Sequence, residues 1–236
     1  MLSQKQNGLT GKIPSEVGAI ESLTVLNVQS NELEGEIPLE ISALSNLRSL
    51  ILNDNQLTGY MPTQFGQLTQ LTTLSLSANR LSQSIASTLG QLFKLEGLYL
   101  HTNRLSGPLP TELGLLTELT RMRFDSNKLD NRIPSELGRL KKLEWLLLSK
   151  NNLHGNMPSE LGNLFELQLL LLDNNLLVGH VPESFSNLKQ LHEFSIAGNS
   201  IIGTLPTDIC SLLQNGWIEL RADCYSLGCN CGCFCT

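Results

Sequence analysis

"LRSLILNDNQLTGYMPTQFGQL", residues 47–68, decides the fold because it recurs. Residues 143–164, "LEWLLLSKNNLHGNMPSELGNL", keep the same apolar positions, the same Asn and the same Pro. Asn31, Asn55, Asn79, Asn103, Asn127, Asn151, Asn175 and Asn199 stand 24 residues apart, and the shared pattern is LxxLxLxxNxLxGxIPxxLGxL. Eight complete copies fill residues 23–214 without insertion or deletion. A partial copy precedes them, with Asn7, Leu9, Gly11, Ile13 and Pro14 in register. A further strand follows, with Ile218 and Leu220 apolar and Asp223 where Asn is due. A fixed period of this length is the signature of stacked repeats.

Each column of the repeat has a physical task. In LxxLxL the alternating leucines share one face of a short strand, because strand side chains alternate with period two. One coil cannot bury that face alone. Stacked coils can, so stability resides in nearest-neighbour interfaces. The strands then line up as a parallel sheet on the concave side. Where the chain leaves that sheet, backbone groups turn inward and need partners. A side-chain amide supplies donors and an acceptor together, so a column of Asn can serve coil after coil. The Gly-x-Ile-Pro segment turns the chain again, and PxxLGxL is expected to form short helical turns on the convex side. The prediction is an α/β repeat solenoid, a right-handed superhelix with a concave parallel β-sheet.

The pattern resembles the leucine-rich repeat family, and LxGxIP looks like its plant-specific class. Within that class the chain is similar to ectodomains of receptor-like kinases and to polygalacturonase-inhibiting proteins, over residues 1–223. Two copies depart from the pattern. "LSQSIAS" (81–87) lacks both Gly and Pro, and Asn131 occupies the Gly column, so local distortion is expected in both.

Three segments are expected: a partial repeat over 1–22 without its N-terminal cap, eight repeats over 23–214, and a cysteine-rich C-terminal cap over 215–236. An uncovered first coil implies either a missing N-terminal segment or an end-to-end dimer. Cys210, Cys224, Cys229, Cys231, Cys233 and Cys235 all lie in the last 27 residues. An even count at the end of a repeat stack suggests disulfides. The rival reading, a thiolate metal cluster, usually shows CxxC spacing rather than CxCxCxC. Disulfides imply an oxidising, extracellular or cell-surface location. The N-terminal residues have no apolar signal region, and no Asn begins an N-x-Ser/Thr sequon, which leaves a cytoplasmic alternative open.

Composition narrows the function. The chain of 236 residues is 41% hydrophobic, 5% aromatic and 16% charged, with net charge −6. An acidic, charge-poor chain lacks the basic footprint that nucleic acid requires. No apolar run reaches the ~18 residues of a membrane span. There is no nucleophile-elbow, phosphate-loop or zinc-protease motif. His101, His154, His180 and His192 fall in different columns of the repeat, so neither catalysis, nor a metal, nor a cofactor is expected.

With the leucines inside, function belongs to the exposed x positions of LxxLxLxx. Early copies are bland there, as with Thr72, Thr73, Ser75 and Ser77. The middle copies offer Tyr99 and His101, then Arg121, Arg123 and Asp125, then Trp145 and Leu147, then Leu169, Leu171 and Asp173. Strands ~4.8 Å apart gather these into a patch roughly 15–20 Å wide. Contiguous exposed apolar surface marks interaction sites, and Trp, Tyr and Arg are enriched among binding hot spots. The expected ligand is a protein or peptide, received as by a receptor or as by an inhibitor of a secreted enzyme. The family resemblance adds one detail. Peptide-hormone receptors of the class carry an RxR motif in these columns that takes the ligand's terminal carboxylate, and Arg121 and Arg123 match it. Asp125 is the competing partner for one of the arginines.

Overall fold

A computed structural model describes residues 1–214, 219–223, 227–228 and 234–235. The centre of each LxxLxL segment is a three-residue strand: Val25–Asn27, Ser49–Ile51, Thr73–Ser75, Gly97–Tyr99, Arg121–Arg123, Trp145–Leu147, Leu169–Leu171 and Glu193–Ser195. Leu2–Ser3 precedes them, and Glu219–Ala222 and Phe234–Cys235 follow. Together they make one 11-stranded sheet in chain order. Neighbours pair in parallel with a shift of one whole coil, so Met122 lies between Leu98 and Leu146. The core is the stack of inward side chains; Leu119, Met122 and Phe124 of the fifth copy are fully buried.

The Asn column forms the expected ladder. Asn151 is representative: its Nδ2 donates to the carbonyls of Phe124 (3.1 Å), Leu148 (3.0 Å) and Ser149 (3.2 Å). Its Oδ1 accepts from the Leu129 N–H of the preceding coil at 2.9 Å. Asp223, at the Asn position of the last described coil, accepts from the Asn199 N–H at 3.2 Å. The residue before each Asn carries a feature that the pattern does not announce. Ser30, Asp54, Ala78, Thr102, Ser126, Lys150 and Asn174 all have φ between 49° and 58°, in the left-handed region. Backbone bonds on both sides hold that turn, as Ala78 N–H to His101 O (2.9 Å) and Asn79 N–H to Thr102 O (3.2 Å).

The NxLxG segments form a second, lateral layer of short parallel strands, in one three-stranded and one six-stranded sheet among the described residues. Their closing glycines have positive φ, as Gly59 at 80° and Gly107 at 77°. Gln83 and Asn131 occupy that column without being glycine and still adopt it, at 68° and 72°. The distortion expected at "LSQSIAS" is small. The strand shortens to Ser82–Gln83 and the lateral sheet is interrupted between Gln56–Thr58 and this strand. Even there, Arg80 and Ser82 N–H still reach Leu57 and Gly59 carbonyls at 2.8 Å. Ala86, where Pro is due, takes φ −69° and ψ 125°, the geometry of its proline neighbours.

The convex turns are 3-10 helices, such as Ser135–Arg139 and Ser159–Asn163, each following its Pro. Thr207–Gln214 is an α-helix instead, tied back by Lys189 Nζ to Asp208 Oδ2 at 2.8 Å. Cys210, in this helix, is half-buried and packs against the core. The side chains of the other five cysteines lie outside what the structure describes.

Candidate concave binding surface

Two parallel rows run across the middle of the concave sheet. One reads Gly97, Arg121, Trp145, Leu169, Glu193, Glu219; the other reads Tyr99, Arg123, Leu147, Leu171, Ser195, Arg221. Because the copies have no insertions, residues 24 apart in sequence become side-by-side neighbours. Arg121 is exposed and lies over the Trp145 ring, its Cζ 4.7 Å from the ring centroid. Planar guanidinium on an indole face is a favourable cation–π arrangement. It leaves the guanidinium edge available. Arg123 is held lower, with its Nε 3.4 Å from Asp125 Oδ1 on the same strand exit. The two arginines therefore differ: Arg121 is braced by a ring and Arg123 is already engaged by a carboxylate.

The expected apolar patch is only partly exposed. Trp145, Leu169 and Leu171 are half-buried, and Leu147 is 8% exposed. The expectation that Leu147 faces solvent is therefore corrected. Its position does point outward from the sheet, but Arg123 and Leu171 flank it on the paired strands and little of it stays exposed. Leu147 instead floors an open depression of about 240 Å³, whose walls include Arg123, Asp125, Asp173, Glu193 and Arg221. Charges at this end are matched within the protein. Asp173 accepts from Ser149 Oγ (2.6 Å) and Asn174 Nδ2 (2.8 Å), and Arg221 pairs with Glu219 at 2.8 Å and Glu193 at 3.8 Å. The Arg221 guanidinium is held above its ordinary pKa by the bond to Glu219.

On the other side of Arg123 lies a second open depression, about 350 Å³, lined by Tyr99, His101, Gln29, Asn53, Thr73 and Ser77 among others. His101 is half-buried and its Nδ1 has no hydrogen-bond partner among the described residues. Burial lowers the His101 pKa, the Arg123 guanidinium lowers it further, and Asp125 and Asp54 oppose the change.

All ten expected site residues thus fall on one continuous stretch of the concave sheet and its edge. Sequence reasoning passes over Glu193, Arg221 and Gly97, although each can be found by writing the copies in register. It also passes over a flank patch. Leu176, Val178 and Ile202 are 59%, 43% and 50% exposed on the lateral layer, in columns that elsewhere hold residues such as Glu32, Glu34 and Lys128. Among the described residues no group of three or more His, Cys, Asp or Glu could hold a metal, and no helix is long and apolar enough to cross a membrane.

Comparison with known proteins bears on the repeat fold. Two models described as leucine-rich repeat fit the chain, one over residues 21–81 and 45–105, the other over 142–164, 166–188 and 190–212. Among solved structures, the plant peptide hormone receptor RGFR1 in complex with RGF2 is similar at TM-score 0.88 and 33% identity, covering 93% of this chain and 35% of that one. The ectodomain of the Arabidopsis thaliana receptor kinase GASSHO1/SCHENGEN3, in complex with Casparian strip integrity factor 2, gives 0.88 and 36%, covering 93% and 26%. A plant ice-binding protein gives 0.72 and 28%, covering 100% of this chain and 83% of that one. The chain spans about a third or less of the two receptor chains. No curated protein matches it.

Proposed function

The chain belongs to the leucine-rich repeat family, and from that premise we propose that it is a non-catalytic, receptor-like module that recognises a peptide or protein across its concave sheet. The observation that carries this reading is the Arg121–Trp145 stack, continuous with Leu169 and Leu171 on one side and with Tyr99 and Arg123 on the other. Arginine and aromatic side chains braced against each other lose little freedom on binding, which suits them to act as anchors. A ligand's carboxylate would be met first by the free edge of Arg121, with Arg123 joining if the carboxylate displaces Asp125. Paired guanidiniums give bidentate, charge-assisted bonds to such a group. RGFR1 and GASSHO1/SCHENGEN3, each solved with its ligand, support a recognition role.

Finer assignments belong to the same proposal. The LxGxIP pattern supports membership of the plant-type class, and the cysteine-rich segment 215–236 closes the stack as a disulfide cap in an extracellular or cell-surface setting. A second reading, inhibition of a secreted enzyme, is favoured by the acidic end of the concave face at Asp173, Glu193 and Glu219, which would oppose a basic surface.

The test starts with selection of a random peptide library on the purified chain. The selected peptide is then titrated calorimetrically against the parent, Arg121→Ala and Trp145→Ala. Each variant should bind at least tenfold more weakly. Parental affinity in both variants would remove the concave surface from the account.

A further inference from the structure

The strand Gly97–Tyr99 differs from every other concave strand in one respect. Its first position is glycine, where the neighbouring copies hold Thr73 and Arg121. The ring of Tyr99 uses the space so released. A Cβ at Gly97 would stand 2.7 Å from Tyr99 Cε2 and 3.1 Å from its Oη, so the ring leans back over its own strand. It thereby offers the adjoining depression a ring surface instead of a side chain standing off the sheet.

Most of the groups around that ring are neutral and polar, with the Asp54 carboxylate and Ile51 beside them. The Gln29 amide, the Thr73, Ser77 and Tyr99 hydroxyls and the His101 imidazole line the depression, and none of these side chains hydrogen-bonds to another group among the described residues. Ser75 Oγ donates to Asn53 Oδ1 (3.2 Å), and Asn53 Nδ2 donates to Asp54 Oδ2 (2.6 Å), which fixes the floor. The contrast with the other half of the sheet is sharp, since Arg123, Asp173 and Arg221 are all bonded internally. Burial and Arg123 both disfavour protonation of His101, although its Nδ1 is itself buried and not open to a ligand.

Neutral donors and acceptors around an aromatic ring match a polyhydroxylated ring. Sugar hydroxyls donate and accept at once, as amides and hydroxyls do, while the apolar C–H face of the sugar packs on an aromatic surface. Of the lining groups, a charged ligand would meet only Asp54 as an opposing charge. We propose that the half of the concave face centred on Tyr99 is a subsite for a neutral sugar unit. It shares the concave sheet with the peptide surface but stands independently of it, because free sugars can probe it alone.

Saturation-transfer NMR on the intact chain, with xylose, arabinose, galactose, glucose, mannose and their β-linked disaccharides, tests the subsite. At least one neutral sugar should receive saturation on its ring C–H protons. Tyr99→Ala and Gly97→Val, the latter driving the ring off its strand, should each weaken that sugar at least tenfold, whereas Leu176→Ser on the lateral layer should leave it unchanged. Thermal melts confirm that the variants fold. The proposal is overturned if no sugar in the panel receives saturation, if Tyr99→Ala binds like the parent, or if only a proline-rich peptide binds in a Tyr99-dependent way.

Discussion

Replacing Asn151 by Ala should destabilise the chain by about 3 kcal/mol. Asn151 is 8% exposed and makes four hydrogen bonds. Their loss is not uniform. The Phe124 carbonyl keeps Asn127 Nδ2 at 3.1 Å, and the Leu148 carbonyl keeps Asn175 Nδ2 at 3.0 Å, so neither is orphaned. The Leu129 N–H has no such reserve, because Asn151 Oδ1 is its acceptor and the site is buried. An orphaned buried donor costs about 1–3 kcal/mol, and each shared bond lost adds roughly 0.5 kcal/mol or more. For a domain of this size that corresponds to a fall in melting temperature of roughly 6–12 °C. The control lies next door, since Asn152 is exposed and its side chain makes no hydrogen bond among the described residues. Asn152→Ala should change stability by less than about 0.5 kcal/mol. Differential scanning calorimetry on both variants reads the difference. If Asn151→Ala melts with Asn152→Ala, the ladder is an ornament of the fold and the argument for it fails.

Other perturbations follow from the same geometry. Gln83→Gly removes a side chain from a backbone at φ 68° and should raise stability by roughly 0.5–1 kcal/mol, read as an increased urea midpoint. Ala86→Pro fits φ −69° and should add about 0.4–1 kcal/mol by restricting the unfolded chain; a lower midpoint would show that the ring clashes in the stack. The lowered His101 pKa has a defined sign. The unfolded chain binds a proton near the ordinary value of 6.5 and the folded chain resists it, so His101 costs stability as pH falls below 6.5. The parent should therefore lose more stability between pH 7 and 5 than His101→Gln, and parallel pH profiles would contradict the burial argument. Arg121→Ala exposes the Trp145 ring and should shift its fluorescence to longer wavelength; an unaltered spectrum would argue against the stack.

The scaffold is legible in the sequence because its determinants repeat with an unbroken 24-residue period. The same arithmetic sets Arg121 beside Trp145 and Tyr99 beside Arg123, and the strand register agrees. What the residues alone conceal depends on local geometry. The residue before each Asn can be Ser, Asp, Ala, Thr or Lys and still be left-handed, because flanking backbone bonds impose the turn whatever the side chain. The repeat column overstates the exposure of Leu147 because outward direction does not mean accessibility; between long neighbours on strands ~4.8 Å away, little of it stays exposed. Gly97 is visible as a glycine in a strand, but its meaning comes from the Tyr99 ring that leans over it. Asp125 is recognisable from its spacing as a competitor for a carboxylate ligand, and the 3.4 Å contact to Arg123 separates the two arginines into one braced and one engaged.

The central claim is that recognition happens on the concave sheet around Arg121 and Trp145. Its most direct test is a single titration series with the peptide selected on the parent chain, comparing Arg121→Ala/Trp145→Ala with a flank variant, Leu176→Ser/Val178→Ser. The account predicts that the concave variant loses binding by a hundredfold or more while the flank variant binds like the parent. Loss of binding in the flank variant alone would contradict it and move the site to the lateral layer.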